Sequence, residues 1–549
     1  MRSTARCIPG ATSGRSRGAL LILICFLLLF AGCDAGPENS FPRITPNIVG
    51  GPVRGGTLTV PIPDDVGALN PLAERSRELC SLSGLIFEPL IRFDVSGEPD
   101  SCLAQSWQVD ESQLTWTFAL REGVPWHGLG RDVTARDVAF TMSLIEEMGA
   151  ETLYSEMLDY VDSWTVTGDY TLAVTMKYPF YGVINALDFP VVPEGCGYTK
   201  DTAPTLAVGT GPYRMISNDA AAGMVLKMNE EWWRRLPYIE EIRALPFSNN
   251  AEALAALVLQ QLDVLQEDSL TATQYRDSGD ANVYEYATRY FEFLAPNFNS
   301  LYLKDARVRQ AIAYALNRQE IASNVYVNHA IVVDTPIPPT SWLYQGRLVV
   351  YNQDFEEAKR LLKLAGWKNT DEDKWLDVSP EGVEDDLSLV LLTYDEPDRS
   401  LRYDAARLIQ TQLANVGIEI VIRSESWDVF VQMMQEGNYD LLLAGWYLSD
   451  IPDLRFAFAS DSEGNVSGYE SEQMDNLLSQ ALEQNTAVGL RQVMGEIDQL
   501  IIADLPIISL YFRTHTLLTT LPVQAVRNIS EDDAYGGIAD WYIDPGLLS

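Results

Sequence analysis

Two kinds of apolar periodicity alternate along this chain. The segment 113–120, QLTWTFAL, has an apolar residue at every second position from Leu114 onward, as one buried face of a β-strand requires. The segment 305–326 instead has apolar residues at helical spacing, begins with the helix-capping residue Asp305 and restarts at Asn317. Strands and helices that alternate in this way predict an α/β protein with mixed sheets.

The length of the chain determines how many hydrophobic cores it needs. Its 549 residues exceed the roughly 250–300 residues that one core usually supports. Hydrophobic residues make up 47% of the sequence, which is enough to fill large cores. No repeat of about 20–50 residues is visible in the sequence. Two or three domains are therefore expected.

The formal net charge of −38 excludes some classes of partner. A surface this acidic repels phosphate backbones and anionic lipid headgroups, so no nucleic-acid partner is expected. Its main effect is solubility. It also favours cationic ligands, but only weakly, because the charge of a whole chain says little about the lining of one pocket.

The amino-terminal segment has the pattern of a secretion signal. Four arginines lie within the first 17 residues, and the apolar run ALLILICFLLLF follows at 19–30. A transmembrane helix needs about 20 apolar residues, so this run is too short to span a bilayer. Residues 1–32 are therefore predicted to be a signal peptide.

The end of this signal, LFAGC, resembles a bacterial lipobox, in which small residues precede a cysteine that is lipidated and becomes the new amino terminus. Ala31 and Gly32 precede Cys33, although Phe30 stands where the motif usually has leucine. Lipidation at Cys33 is predicted, and signal cleavage without a lipid is the alternative. Residues 33–55 are rich in Gly, Pro, Asn and Ser and are predicted to form a flexible tether.

The cysteines beyond this motif leave two alternatives open. Cys80, Cys102 and Cys196 are odd in number, so they cannot all be paired within the chain. One disulfide, preferably between Cys80 and Cys102, would suit an oxidising compartment. Buried free thiols fit the sequence equally well.

Motifs for metal binding and catalysis are weak in this sequence. None of the three histidines, His127, His329 and His515, has ligand spacing to another metal-binding residue, so structural roles and no metal or cofactor are predicted. No nucleophile elbow, phosphate-binding loop or zinc-protease motif is visible. Asp450 and Asp453 are spaced as a carboxylate pair could be, which keeps a secreted hydrolase as an alternative of another class.

A series of longer landmarks gives a specific resemblance. The run from 85 to 142 resembles the signature region of the family 5 solute-binding proteins of ABC importers, which bind peptides, nickel or oligosaccharides. Further landmarks follow in the family's order over nearly the whole chain, and each alone is short. They include VGTGPYRM, NEEWWRRLPYIEEI, DARVRQAIAYALNRQEI, DFEEAKRLLKLAGW, YDLLLAGW and SGYESEQMDNLL.

The resemblance implies the two-lobed fold of periplasmic binding proteins, of type II and of the large cluster that carries an extra subdomain. Lobe I would comprise residues 56–287, with the extra subdomain at about 76–200, and would resume at 516–549. Lobe II would comprise residues 288–515. Two crossover strands would join the lobes, and hinge closure around a solute in the cleft between them is the expected motion.

The resemblance also implies a function. The protein would be an extracytoplasmic receptor, anchored to the cell membrane by its lipid, that binds oligopeptides or dipeptides and delivers them to the permease subunits of an ABC importer. An oligosaccharide or a metal complex is the alternative ligand. Such a receptor acts as a monomer, needs no cofactor and is not an enzyme.

The loop after the strand YDLLLAGW is the predicted site. Trp446 ends this strand, where open α/β sheets often place ligand residues. In peptide-binding relatives an aspartate in this loop holds the ammonium of the peptide by a charge-assisted hydrogen bond. Here Ser449 stands at that place and Asp450 follows it, so the anchor is Asp450 if the loop is one residue longer and is absent otherwise. The predicted ligand-binding residues are Trp446, Tyr447, Asp450, Asp453 and Trp427.

Overall fold

The structure is a computed structural model that describes residues 52–64, 66–346, 350–370, 374–377, 386–395 and 401–547. The predicted signal peptide, the lipidation at Cys33 and most of the predicted tether lie outside these residues. Within the described ranges, no helix has both the length and the apolar character needed to cross a membrane.

Nineteen strands lie in the described part of the chain, numbered β1 to β19 in chain order, and they form five sheets. The strands are Thr57–Pro63, Ile91–Phe93, Pro99–Ser101, Ala104–Val109, Thr115–Leu120, Val161–Gly168, Thr171–Met176, Tyr213–Asp219, Gly223–Met228, Glu241–Phe247, Val264–Asp268, Asn282–Pro296, Ala330–Val332, Ser388–Tyr394, Glu419–Glu425, Leu441–Tyr447, Ile508–Thr519, Val523–Gln524 and Tyr542–Ile543.

Thirteen α-helices, α1 to α13, connect these strands in the same described residues. They are Arg77–Ser83, Ala135–Met148, Met157–Tyr160, Asn250–Val258, Ser269–Ser278, Ala306–Ala315, Arg318–Asn324, Phe355–Ala365, Leu401–Ala414, Trp427–Gln435, Arg455–Phe458, Glu472–Leu482 and Ala487–Asp504. Short 3₁₀ helices lie at Gly149–Glu151, Tyr181–Leu187, Ile538–Asp540 and Pro545–Leu547.

Two four-stranded sheets come from the first half of the chain. In one, of order β1-β10-β9-β8, β1 is parallel to β10 and the other pairs are antiparallel. The other, of order β4-β5-β7-β6, is antiparallel throughout. In β5, Trp116, Phe118 and Leu120 are buried, which confirms the strand predicted from their alternation.

The third large sheet has seven strands, in the order β11-β17-β12-β16-β14-β15 with β13 beside β17. Its two longest strands, β12 and β17, are paired antiparallel, from Asn282 opposite Thr519 to Leu294 opposite Ile508. Both strands run through the positions at which the lobe boundaries are predicted. The register shifts between Ala287 and Phe291, so a bulge interrupts the pairing near the first boundary.

The seven-stranded sheet separates two hydrophobic cores. Along β16, Leu441 and Leu443 belong to one core, whereas Leu442 and Ala444 belong to the other. Residues that alternate between two covered faces explain why the strand is a continuous apolar run in the sequence. The first core also receives the two four-stranded sheets, and the second is formed with α6 to α9.

The helical segment predicted at 305–326 is two helices, as its internal capping signal indicates. The Asp305 side chain accepts a hydrogen bond from the backbone N–H of Arg307 at the start of α6. Asn317 then caps α7 by accepting from the N–H of Glu320 at 2.9 Å. The capping residues Asp305 and Asn317 therefore predict both helix starts correctly.

The three described cysteines beyond the lipobox are free thiols. Of the two alternatives that the sequence leaves open, the structure therefore has the free thiols and not the Cys80–Cys102 disulfide. Burial raises the pKa of Cys80 to about 11 and that of Cys102 to about 12, so both thiols are protonated at neutral pH.

Candidate ligand-binding cavity

A cavity of about 1870 Å³ lies where the amino-terminal half, the loop after β16 and the carboxy-terminal segment meet. This volume exceeds the roughly 300–1000 Å³ of ordinary small-molecule sites. Residues from the predicted lobe I and the predicted lobe II both line it, and residues 528–537 complete the wall. The cavity therefore has room for a solute larger than a single amino acid.

The loop 448–454 lines the cavity and directly follows β16. The loop is held by its apolar residues, because Leu448, Ile451 and Leu454 are buried while the polar residues between them are not. Tyr447, the last residue of β16, also lines the cavity, and 53% of its surface is exposed. The buried leucines and isoleucine thus fix the loop, and the polar residues between them face the cavity.

Asp450 and Arg289 form the central ion pair of the cavity. The guanidinium donates to the Asp450 carboxylate, to the hydroxyl of Tyr447 at 3.0 Å and to Asp532 at 2.9 Å. It also lies over the Tyr447 ring at 4.8 Å. The Asp450 side chain is nevertheless 54% exposed, so it is held in position and remains accessible to a solute.

The bulge in β12 brings Arg289 to this position. Arg289 lies between Ala287 and Phe291, where the pairing with β17 is interrupted. A bulge re-aims a side chain that a regular strand would place elsewhere. The backbone N–H of Arg289 donates to the Glu531 carboxylate at 3.0 Å, which fixes the bulge to the carboxy-terminal segment.

Acidic side chains outnumber basic ones in the cavity wall. Twelve acidic residues and five arginines line it, with no lysine among the described lining residues. The acidic residues are Glu78, Asp94, Asp100, Glu156, Asp188, Glu267, Asp268, Asp450, Asp453, Glu531, Asp532 and Asp533, and the arginines are Arg75, Arg77, Arg92, Arg234 and Arg289.

The crowding of carboxylates raises several pKa values. Burial, and then the charge of Asp450, raise the pKa of Asp188 to about 7. Although the Asp450 side chain is exposed to the cavity, the surrounding protein shields it from bulk water, which raises its pKa against the opposing effect of Arg289. Among the described residues, none forms an ion pair with Asp188. Asp188 is therefore only partly ionised near neutral pH, and a cation beside it would favour the ionised form.

Hydrogen bonds attach the loop to the amino-terminal half of the chain. The Asn185 amide donates to the backbone carbonyl of Asp450 at 3.1 Å, and the hydroxyl of Ser449 donates to Glu156. The hydroxyl of Tyr160 donates to the Asp453 carboxylate at 2.9 Å. These bonds join the loop, which belongs to predicted lobe II, to residues of predicted lobe I.

The comparisons with known proteins agree with this architecture. A sequence model of the bacterial extracellular solute-binding proteins, family 5 Middle, matches residues 98–468, more than half of the chain. The chain belongs to this family. The oligopeptide-binding protein AppA of Bacillus subtilis (strain 168) is 26% identical over 558 residues, covering 96% of this chain and 99% of AppA. The dipeptide-binding protein of Escherichia coli (strain K12) is 25% identical over 399 residues, covering 66% of this chain and 70% of that relative.

Solved structures have the same fold as this family 5 protein. The unliganded open form of MppA, a periplasmic murein tripeptide binding protein, has a TM-score of 0.78 at 19% identity, covering 90% of this chain and 98% of that chain. AppA from Bacillus subtilis, in complex with a nonapeptide, has a TM-score of 0.61 at 23% identity, covering 90% and 100%. The predicted two-lobed α/β fold of periplasmic binding proteins is confirmed. The lobe boundaries stay predictions.

The five predicted ligand-binding residues of this solute-binding protein have different surroundings. Tyr447, Asp450 and Asp453 line the cavity, but the described lining includes neither tryptophan. Trp446 packs with its ring centroid 4.0 Å from that of Phe293. Trp427 is 58% exposed, and its ring lies against Tyr394 at 4.9 Å. Both tryptophans contact other aromatic rings, and their ligand role stays a prediction.

Asp453 differs from Asp450 although both line the cavity. Its carboxylate binds the Arg455 guanidinium and accepts from the backbone N–H of Arg455 at 3.0 Å, besides the bond from Tyr160. Its side chain is 9% exposed. The contacts with Arg455 are local, whereas the bond from Tyr160 comes from the amino-terminal half, and together they fix the end of the loop.

The three histidines have structural partners in this family 5 protein. His515 lines the cavity, where the Arg77 guanidinium lies 2.8 Å from its Nδ1, and burial lowers its pKa to about 4. Burial also lowers the pKa of His127 to about 4. His329 lies 2.8 Å from the Glu285 carboxylate. No three candidate metal ligands converge within the described ranges.

Sequence reasoning missed Arg289, Asp188 and Asp532. Asp532 lies in the acidic run SEDD and Arg289 is a charged residue within an apolar strand, but neither pattern by itself indicates a cavity. Asp188 follows a 3₁₀ helix that the sequence does not signal. Only the folded chain brings the three together.

Proposed function

We propose that this protein binds oligopeptides or dipeptides outside the cytoplasm and delivers them to the permease of an ABC importer. Family membership supports a solute-binding role, and the relatives whose names state a ligand include oligopeptide-binding and dipeptide-binding proteins. The observation that carries the proposal is the accessible Asp450 carboxylate on the loop after β16, beside a cavity of about 1870 Å³.

Asp450 is proposed as the anchor for the ammonium group of the peptide. Ser449, the alternative at this place, donates to Glu156 and accepts from the backbone N–H of Ile451 at 3.1 Å. Its hydroxyl is therefore engaged within the loop. The Asp450 carboxylate is exposed and is oriented by Arg289, which suits a charge-assisted hydrogen bond to an ammonium.

Apolar contacts would supply further binding free energy. Leu153, Tyr447 and Phe456 line the cavity and are between 40% and 53% exposed. Removing such surfaces from water contributes about 25 cal/mol per Å². These side chains would lie against the apolar parts of a peptide, whatever its sequence.

The cellular setting is proposed from the sequence. The chain would be exported by its signal peptide, lipidated at Cys33 and held at the membrane as a monomer, with lobes 56–287 plus 516–549 and 288–515 closing around the solute. A Cys33→Ser variant should move from the membrane fraction to the soluble extracytoplasmic fraction. A variant that stayed in the membrane fraction would contradict anchoring by this lipid.

The direct test of the function is to identify the solute that the purified protein retains. Mass spectrometry after denaturation should detect peptides, and calorimetric titration with unmodified tripeptides should show binding. The same peptides with an acetylated amino terminus should bind much more weakly. Retention of only an oligosaccharide or a metal complex, with no binding across the peptide panel, would overturn the peptide proposal.

A further inference from the structure

The charge around Asp450 exceeds what one ammonium can balance. Asp532, Glu156 and Asp188 lie close enough to Asp450 to oppose its ionisation or to have their own ionisation opposed by it. The guanidinium that favours the ionised form of both Asp450 and Asp188 is that of Arg289, which already bridges Asp450 and Asp532. Asp450 and Asp532 thus share this guanidinium, and among the described residues neither Asp188 nor Glu156 forms an ion pair.

A peptide bound through its amino terminus brings one positive charge to this place. If Asp450 takes the ammonium and Arg289 stays with Asp532, the carboxylates of Asp188 and Glu156 still have no cationic partner among these groups. Leaving carboxylates partly buried and unbalanced costs free energy, which a second cation in reach would recover.

We infer that the cavity selects peptides with a second positive charge beside the amino terminus, that is, peptides with lysine or arginine at the first position. This inference rests on the proposed function, because it assumes that a peptide ammonium binds Asp450. Asp188 is the specificity-determining residue, since it lines the cavity, is partly shielded from solvent and has no ion-pair partner among the described residues.

The positions of Asp188 and Asp532 indicate where the first side chain of a bound peptide would extend. Asn185, three residues before Asp188, donates to the backbone carbonyl of Asp450 at 3.1 Å, so the segment that carries Asp188 lies directly beside the anchor. Asp532 approaches from the carboxy-terminal segment through their shared partner Arg289. The inference therefore requires a long flexible side chain on the first residue of the peptide, which would extend to this group while the ammonium stays at Asp450.

The test uses two tripeptides that differ in one charge. Lys-Ala-Ala and norleucine-Ala-Ala have side chains of similar length, and only the first has a second cation. Calorimetry on the intact protein should give an affinity at least about tenfold higher for the lysine peptide, the size of one charge-assisted hydrogen bond. Asp188→Asn should bring this ratio close to one, because the lysine side chain then has no carboxylate of Asp188 to pair with.

Two further variants test whether the effect of Asp188→Asn is specific to the charge in the cavity. Asp280→Asn removes an exposed carboxylate outside the cavity lining and should leave the ratio unchanged. Asp532→Asn should lower the ratio in the same direction as Asp188→Asn, and a thermal melt should establish that each variant is folded. Equal affinities of the two peptides for the unmodified protein would overturn the inference while the peptide function stands. If neither peptide bound and other peptides also failed, the proposed function itself would be wrong.

Discussion

Strand β12 carries two charged clusters with opposite ratios of acidic to basic groups, one centred on Glu292 and the other on Arg289. Around Glu292, one carboxylate binds two guanidinium groups, that of Arg402 at 3.0 Å and that of Arg513. The side chains of Glu292 and Arg402 are 0% exposed. Although burial opposes ionisation, the two arginines hold the pKa of Glu292 below its ordinary value.

At Arg289, three residues before Glu292, the ratio of carboxylates to guanidinium groups is reversed. The Arg289 guanidinium binds two carboxylates, Asp450 and Asp532, and both of these side chains are more than half exposed. Here the pKa of Asp450 is raised, because the loss of bulk water around a carboxylate inside the cavity outweighs the effect of Arg289. The difference shows that a charge cluster that stabilises the fold has its carboxylate fully compensated, whereas the cavity cluster keeps an excess that a ligand can compensate.

The largest expected effect breaks the cluster in the core. Glu292→Gln leaves the buried guanidinium of Arg402 without its carboxylate, so the free energy of unfolding should fall by about 3–5 kcal/mol. Urea denaturation measures this change. Asp532→Asn is the matched control in the cavity, and it should change the free energy of unfolding little. Equal losses in the two variants would contradict the distinction between the clusters.

The next effect concerns ligand binding and not stability. Asp450→Asn keeps the size of the side chain and removes its charge, so the affinity for an unmodified tripeptide should fall by about 1.5–3 kcal/mol, the size of a hydrogen bond to a charged group. The affinity for the acetylated tripeptide should stay the same. Calorimetry with both peptides separates the loss of the ammonium anchor from general damage to the cavity, which would weaken both.

The ionisation of Asp188 makes both the stability of the protein and its selection of peptides depend on pH. The pKa of Asp188 is about 7, above the ordinary value of 3.8, so the folded protein keeps a proton that the unfolded chain has lost between these values. The stability that comes from this protonated carboxyl is therefore present below pH 3.8 and is lost as the pH rises towards 7. A cationic ligand favours the ionised form and opposes this loss.

The groups that interact electrostatically with Asp188 are Asp450, Arg289, Asp532 and Tyr154, and only Asp188 among them has its pKa raised to about 7. The ratio of affinities for Lys-Ala-Ala and norleucine-Ala-Ala should therefore rise between about pH 6 and pH 8. Taking the ratio cancels the titration of the amino terminus that both peptides share. A ratio that rose equally in Asp188→Asn would assign the effect to another group.

The sequence predicted the fold for identifiable physical reasons. The alternation in 113–120 and the capping residues Asp305 and Asn317 act locally, and the structure has the strand and both helix starts where they predict them. Trp446 and Tyr447 were predicted together as ligand residues. Neighbouring residues of a strand point to opposite faces, so one ring packs in the core and the other lines the cavity.

The rest of the site depends on contacts between distant parts of the chain. Arg289 reaches the cavity because of a bulge in β12, and its partners come from the loop after β16 and from the carboxy-terminal segment. A strand periodicity gives no sign of a bulge, and no spacing rule relates Asp188 to Asp450 or Asp532. The charge excess therefore becomes visible only once the chain is folded.

The smallest expected effect concerns Asp453, which has the balanced surroundings of the core cluster although it lines the cavity. Tyr160→Phe removes the hydroxyl that donates to Asp453 and should cost about 1 kcal/mol of stability. Because the loop would be held less firmly, peptide affinity should fall only a few-fold. Asp453→Asn should also lower peptide affinity only a few-fold. Urea denaturation and calorimetry on both variants test this. If Asp453→Asn lowered affinity tenfold or more at unchanged stability, the carboxylate would bind the solute directly, as predicted from the sequence, and would belong with Asp450 instead of with Glu292.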